Sequence, residues 1–169
     1  MQNINNVAEK ILNFDKAKIS KLAESLVAKK DAVFIGKDLD FITALEASLK
    51  LKEVSYINAN AYPSGELKHG FLALVESGTP LFVFANQRLL VSKTESSTNE
   101  AISRGAEVIV FSNSSEIAFE NVIEIDEKDE LLAQILAIAP MQYLAYLVSI
   151  GKNINPDQPR NLAKSVTVE

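Results

Sequence analysis

The chain has 169 residues, of which 17 are lysine or arginine, 22 are aspartate or glutamate and none is cysteine, giving a net charge of −5 at neutral pH. The length suits one domain with a sizeable core, and the acidic balance without a basic stripe argues against a nucleic-acid binder. The lack of cysteine excludes disulfides, thiolate metal sites and a cysteine nucleophile, and we predict no cofactor and no metal site.

The N-terminal stretch is predicted to be a helical lead-in. Apolar side chains recur at helical spacing over residues 4–29, which predicts one amphipathic helix or two short ones. Asn13 and Asp15 stand between the two apolar runs and could mark a break or a helix cap. Residues 1–14 contain no apolar run of the kind found in secretory leaders, so we expect a cytoplasmic chain.

Short apolar runs alternate with helical patterns along the rest of the chain. Buried strands are predicted near 32–35, 81–85, 107–111 and 121–125. Helices are predicted at 40–55 and 88–104, and a long one ends at Gly151. This alternation predicts an α/β fold: a three-layer α/β/α sandwich with a mostly parallel sheet, of the flavodoxin-like kind.

The long last helix contains a proline. Pro140 is expected to kink it or break it in two, because proline lacks the N–H that continues a helix. Gln134 and Gln142 also interrupt its apolar run. We therefore expect the segment 131–150 to be too broken to span a membrane.

The helix at 40–55 carries an unusual group of charges, with Asp38 or Asp40 as a candidate N-cap. Three of its apolar side chains fall on one stripe, expected to face the core: Ile42, Leu45 and Leu49. Glu53 falls on the continuation of that stripe, where Lys50 can pair with it at i,i+3. Spacing alone leaves two interpretations open: a structural ion pair, or an acid/base cluster that includes the only histidine, His69.

Two motifs of the chain are similar to a known family. Residues 44–70, ALEASLKLKEVSYINANAYPSGELKHG, resemble ALEGALKLKE, an aromatic-rich turn and GELKHGPLALI in the second sugar-isomerase (SIS) domain of glucosamine-6-phosphate synthases, the glutamine–fructose-6-phosphate amidotransferases. Residues 157–169, DQPRNLAKSVTVE, resemble that family's terminal signature. Two long motifs in the right order make the resemblance specific, and it extends from about residue 29 to residue 169.

The resemblance implies site residues for an isomerase that moves a proton between C1 and C2 of a sugar. Glu53 matches the base at C1 and C2, and His69 matches the acid/base that opens the sugar ring. Lys50 matches a residue that stabilises charge or relays a proton, and Lys164 matches an amine proposed to form a Schiff base with the ketose. Substrate contacts are implied for Ala163, Lys164 and Glu53.

Partners and a division of the chain are implied in the same way. The family's histidine serves the site of the neighbouring subunit, which implies a homodimer, and the ligand is a phosphosugar, fructose 6-phosphate or glucosamine 6-phosphate. A first SIS domain holds the sugar phosphate in that family, and a glutaminase domain releases ammonia; neither is in this chain. We divide the chain into a lead-in at 1–30, an SIS domain at 31–156 and an active-site tail at 157–169.

Three functions remain open on these residues. The chain is a catalytic half-domain that is inactive alone, a stand-alone phosphosugar-binding or regulatory module without turnover, or a structural half-domain that persists through dimerisation. Intact Glu53, His69 and Lys164 favour enzyme ancestry. Phe71 replaces the proline that usually follows KHG, which is expected to loosen the turn at 69–75. An excised part of a longer enzyme and a free-standing partial homologue fit the sequence equally.

Overall fold

A computed structural model describes residues 7–162, in which α-helices and β-strands alternate. The helices are α1 (Lys16–Leu26), α2 (Leu39–Ser55), α3 (Val91–Ile102) and α4 (Glu130–Gly151). The strands are β1 (Asp31–Gly36), β2 (Asn58–Pro63), β3 (Pro80–Phe84), β4 (Glu107–Ser112) and β5 (Val122–Glu124). Short 3₁₀ helices lie at Ser64–His69, Phe71–Leu74 and Arg88–Leu90.

All five strands pair in parallel, in the order β2-β1-β3-β4-β5. The four predicted strands are confirmed, as is the α/β fold with a parallel sheet. The stretch NANAYP, for which no strand is predicted, forms β2, which pairs with β1 from Asp31 opposite Asn58 to Gly36 opposite Pro63. Its alanines and asparagines have low strand propensity, so pairing with β1 rather than local preference sets its conformation.

Helices cover both faces of the sheet. Because side chains alternate along a strand, Phe34 of β1 faces α1, α2 and α4, whereas Val33 and Ile35 face α3 and the 3₁₀ helices. Phe34 stacks on Phe82 of β3 at 4.6 Å between ring centroids. The sandwich of three layers therefore has one apolar core on each side of the sheet.

The N-terminal segment contains two helical pieces, as one of the two predicted alternatives has it. Residues 7–10 are helical, the chain then turns, and Asp15 caps α1 by accepting a hydrogen bond from the backbone N–H of Lys18 at 2.9 Å. The buried side of α1, which packs against α4, comprises Ile19, Ala23 and Leu26. The expected break and cap are thus confirmed at Asp15.

The prediction of which face of α2 is buried is wrong. We call Ile42, Leu45 and Leu49 the outer stripe, because they are 62%, 46% and 42% exposed. The buried face consists mostly of small side chains: Asp40, Thr43, Ala44, Ala47, Ser48, Leu51 and Ser55. Small side chains let α2 approach the sheet and α4 closely, which leaves the large apolar residues outside. Glu53 therefore continues an exposed stripe rather than a buried one.

Pro140 does not break α4, which runs without interruption from Glu130 to Gly151. Within residues 7–162, α4 is the one helix long and apolar enough to cross a membrane by length and composition, so the expectation that the segment is too broken is wrong on those criteria. Half of the qualifying stretch is nevertheless buried inside the fold, as in a core helix.

Candidate active site

The charge cluster on α2 lies in its carboxyl-terminal half. Lys50 Nζ lies 3.1 Å from Glu53 Oε2 and 3.4 Å from Glu46 Oε1. The side chains of Lys50 and Glu53 are 29% and 31% exposed, so the pair is half-buried and still open to solvent. One cation thus lies between two carboxylates on the same helix face.

Lys50 is held in its charged form. Burial lowers the pKa of Lys50, but the hydrogen bond to Glu53 and the charges of Glu46 and Glu53 together outweigh burial, so the pKa lies above its usual value. A permanently charged lysine stabilises negative charge that develops next to it. It is a poor proton donor near neutral pH, so this geometry favours charge stabilisation over proton relay for Lys50.

The imidazole of His69 is presented to solvent. His69 ends the 3₁₀ helix after β2, which is pinned to the core by the buried Leu67. The side chain of His69 is 74% exposed, and its Nε2 lies 3.9 Å from Glu66 Oε2, at the outer limit of an ion pair. Its neighbour Lys68 pairs with Glu100 of α3 at 2.7 Å. The imidazole is therefore accessible to another molecule.

Glu53 and His69 are carried by elements on opposite faces of the sheet. α2 leads from the carboxyl end of β1 to the amino end of β2, where Asn58 pairs with Asp31, and Glu53 lies in the last turn of α2. His69 instead ends the 3₁₀ helix after β2, whose Leu67 packs with Ala101 of α3 in the core on the other face. Lys68 beside it reaches Glu100, in the last turn of α3. Within the described residues, the ion pair of His69 is with Glu66, and neither Lys50 nor Glu53 pairs with it.

The C-terminal tail approaches the same end of α2 as the pair. Ala163 and Lys164 lie outside the described residues, which end at Leu162. Within the described part, the backbone N–H of Arg160 donates to the phenolic oxygen of Tyr56 at 2.8 Å, and Tyr56 is the C-cap of α2.

A buried polar cluster, which the sequence patterns do not predict, surrounds Asp40. The carboxylate of Asp40, 1% exposed, accepts hydrogen bonds from the backbone N–H groups of Asn86 and Gln87 and from the side-chain amides of Asn86 and Gln134. Thr43 donates to Gln134 Oε1 at 2.5 Å. Burial raises the pKa of Asp40, although the hydrogen bonds from Asn86, Gln134 and Gln87 act in the opposite direction.

The prediction that Asp40 could be the N-cap is wrong, because Asp40 lies inside the first turn of α2 and points inward. Asp38 occupies the N-cap position, but its side chain makes no capping hydrogen bond. A signal for the buried role exists in the sequence: Asp40 precedes Ala44 and Ala47 at i+4 and i+7, on the face where small residues mark close packing.

A cavity of about 300 Å³ opens at the carboxyl edge of β3 and β4, where parallel sheets usually bind ligands. Its wall carries two cations, Arg88 and Lys128, and two carboxylates, Glu116 and Glu130. The backbone N–H of Arg88 already donates to Glu130 at 2.9 Å. These charges balance, and the other polar groups of the wall include the hydroxyls of Ser114 and Ser115.

The chain matches a protein-family model described as SIS domain over residues 25–150. It is 44% identical over 173 residues to the isomerizing glutamine–fructose-6-phosphate aminotransferase of Clostridium tetani, covering 100% of this chain and 28% of that protein. The Haemophilus influenzae enzyme of the same name is 43% identical over 174 residues, with the same coverage. The chain thus spans little more than a quarter of the length of these relatives.

The fold is similar to a solved structure of the C-terminal domain of glucosamine-fructose-6-phosphate aminotransferase from Francisella tularensis. The TM-score is 0.86 at 36% sequence identity, and the match covers 93% of this chain and 45% of that one. The similar chain is therefore about twice as long as this one.

Proposed function

This chain belongs to the SIS domain family, and from that membership we propose that it supplies the Lys50–Glu53 half of a sugar-isomerase site that converts fructose 6-phosphate to glucosamine 6-phosphate. The observation that carries the proposal is the half-buried pair at 3.1 Å in a chain 44% identical to an isomerizing aminotransferase. Because this chain spans only 28% of that relative, the proposed activity needs further domains.

Each residue of the pair has a proposed task in the proton transfer. The Glu53 carboxylate removes a proton from C1 of the open-chain sugar and returns it at C2. Negative charge develops on the oxygen or nitrogen at C2 in between, and the fixed charge of Lys50 stabilises it. The partial exposure of both side chains leaves them open to a ligand.

Three further residues, outside this pair, have proposed tasks. The amine of Lys164, once deprotonated, adds to the C2 carbonyl and forms an imine with release of water. Ammonia then displaces the lysine at C2 and frees its amine, and Ala163 contacts the sugar. His69 protonates the ring oxygen during ring opening. Since His69 and Glu53 are carried on opposite faces of the sheet, we assign His69 to the site of a neighbouring subunit, which makes the proposed enzyme a homodimer.

Reconstitution tests the proposed function. The Clostridium tetani relative, truncated to remove the part that this chain matches, is mixed with this chain, fructose 6-phosphate and ammonia. We expect glucosamine 6-phosphate from the mixture and from neither component. Glu53→Gln should lower the rate by at least about 100-fold, the usual contribution of a general base.

Glu24→Gln is the matched control, because Glu24 is an exposed carboxylate on α1, away from the pair. This variant should reconstitute as well as the parent chain. A mixture in which Glu53→Gln is as active as the parent would disprove the role of the pair.

A stand-alone phosphosugar-binding or regulatory module without turnover is the second candidate. The separation of His69 from the Lys50–Glu53 pair favours it, because one chain then holds only part of a catalytic set. Calorimetry with glucosamine 6-phosphate separates the two candidates: saturable binding by the isolated chain, with no reconstituted activity, would support the binding module.

The remaining assignments are also proposals. We keep the division into a lead-in at 1–30, a domain at 31–156 and a tail at 157–169, with a phosphosugar as ligand. We expect the chain in the cytoplasm, in line with relatives named for a step of phosphosugar metabolism.

A further inference from the structure

The described part of the C-terminal tail is fastened to the end of α2 by two contacts with one side chain. The backbone N–H of Arg160 donates to the phenolic oxygen of Tyr56 at 2.8 Å. The guanidinium carbon of Arg160 lies 4.2 Å from the centroid of the Tyr56 ring, a cation–π geometry. Ring and hydroxyl of Tyr56 thus hold the same residue of the tail.

Tyr56 has an uncommon backbone conformation. It is the C-cap of α2 with φ 58° and ψ 21°, in the left-handed region, and its N–H bonds to the carbonyl of Lys52 at 3.2 Å. Glycine is the usual residue at such a cap because a side chain there is disfavoured. A tyrosine that bears this cost points to a use for its side chain, and both its hydroxyl and its ring contact Arg160.

Covalent geometry links this contact to the Lys50–Glu53 pair. Glu53 precedes Tyr56 by three residues, about 4.5 Å along a helix axis. Lys164 follows Arg160 by four residues, which span at most about 14 Å when fully extended. Fixing Arg160 on Tyr56 therefore limits how far from the end of α2 the chain can carry Lys164.

We propose that Tyr56 and Arg160 are positioning residues, which fasten the tail to the end of α2 so that Lys164 stays within reach of the Lys50–Glu53 pair. The purpose of this contact rests on the proposed function, since it requires that Lys164 acts beside that pair. The contact does not take part in the chemistry and is made within one chain.

A single spin label tests the position directly. Because the chain has no cysteine, Lys164→Cys provides a unique thiol for a nitroxide on the full-length protein. We expect the nitroxide to broaden the backbone amide NMR signals of residues 50–56 and to leave those of residues 122–124, in the edge strand farthest from β2, sharp. Arg160→Ala should lower the broadening rate at 50–56 by about threefold, the factor that an exposed cation–π contact provides.

Substitutions at Tyr56 separate the two contacts. Tyr56→Phe keeps the ring but loses the acceptor for Arg160, so its broadening should lie between those of the parent and Tyr56→Ala. Arg104→Ala, at an exposed arginine after α3, is the matched control and should change nothing. The dispersion of the amide NMR spectrum shows whether Tyr56→Ala folds. If it does not, Arg160→Ala tests the proposal, because Arg160 is exposed.

Association between chains is excluded by mixing isotope-labelled chain without nitroxide and unlabelled chain with it. The reference is the sample in which each chain carries both the isotope label and the nitroxide. Broadening at 50–56 in the mixture as strong as in that reference would overturn the proposal, as would broadening unchanged by Arg160→Ala. Failure of the reconstituted activity with the broadening pattern intact would reject the proposed function and leave the positioning contact standing.

Discussion

At the scale of single residues, Asp40 is enclosed both by hydrogen-bond donors and by apolar core. Donors from Asn86, Gln87 and Gln134 favour the carboxylate, whereas burial favours the neutral acid. Burial is the stronger influence, and the pKa of Asp40 is raised. The cluster joins the first turn of α2 to α4 and to the segment after β3, so its protonation state bears on how firmly these elements are held.

We predict that Asp40→Asn lowers the free energy of unfolding by about 1–3 kcal/mol, because its amide would place a donor against the N–H groups that now bond to the carboxylate. The loss should depend on pH. The pKa of Asp40 is higher in the folded than in the unfolded chain, so protonation of Asp40 stabilises the fold. This stabilisation is fully present below pH 3.8, the ordinary pKa of the group. It is lost as the pH rises through the folded pKa.

The loss of free energy of unfolding in Asp40→Asn, relative to the parent, should therefore be largest at acid pH and shrink towards neutrality. Urea unfolding at a series of pH values measures it. Asp157→Asn, at an exposed aspartate, serves as the control and should show no such trend. A deficit that grows towards neutral pH would show that the hydrogen bonds, rather than burial, control Asp40.

At the scale of elements, the junction between β1 and α2 depends on close backbone contact. Gly36 ends β1, and a Cβ built on it would overlap the backbone carbonyl of Asp40 and the N–H of Phe41 in the first turn of α2. Backbone atoms of a helix cannot move aside as a flexible side chain can. The glycine thus allows α2 to start directly above the strand and brings Asp40 into the core.

Gly36→Ala is predicted to destabilise the fold by more than about 2 kcal/mol, the range of core overpacking. Gly65→Ala is the matched control, because a Cβ there meets nothing within 4 Å. Its effect should stay within about 0.5 kcal/mol. Urea denaturation of both variants measures the difference, and equal stabilities would contradict the close contact at Gly36.

Sequence patterns predict the apolar strands β1, β3, β4 and β5 because buried parallel strands are continuous apolar runs. They miss β2, whose alanines and asparagines resemble a loop and whose pairing is decided by β1. They also assign the outer stripe to the core, because large apolar side chains are usually buried. The pairing of Lys50 with Glu53 is predicted since i,i+3 spacing is local, whereas the placement of His69 relative to Glu53 depends on recognising β2 and the 3₁₀ helix after it.

At the scale of the whole molecule, apolar side chains remain uncovered on two neighbouring helices. The outer stripe of α2 is exposed, and α4, which packs along α2, also exposes apolar side chains: Leu131, Ile135, Tyr146 and Ile150. Such surfaces usually mark contact with another protein surface. The longer relatives have additional chain to cover these surfaces. For the isolated chain, a second copy of the same chain can cover them.

The isolated chain is predicted to associate through the outer stripe. Leu45→Glu should shift the population towards monomer in sedimentation velocity, because it places a charge on the apolar surface. Leu89→Glu, at a leucine 88% exposed on the 3₁₀ helix before α3, should leave the association unchanged. A parent chain that sediments as a clean monomer at high micromolar concentration would contradict the prediction.

The isolated chain is also predicted to make no measurable glucosamine 6-phosphate, even with ammonia supplied. The main affinity handle of a phosphosugar is its dianion, held by hydroxyls and backbone N–H groups, and the resemblance places that loop in a domain that this chain lacks. Product analysis after long incubation measures it. Turnover by the pure chain, abolished in Glu53→Gln, would show that a complete site forms without the missing domain.

The placement of Glu53 and His69 on opposite faces of the sheet has a genetic consequence. If each site combines the Glu53 of one subunit with the His69 of the next, a Glu53→Gln chain and a His69→Ala chain are each inactive. Mixed together with the missing domains, they form dimers in which one site has both native residues. Two defective alleles of one gene would then complement each other, although both changes fall within the same small domain.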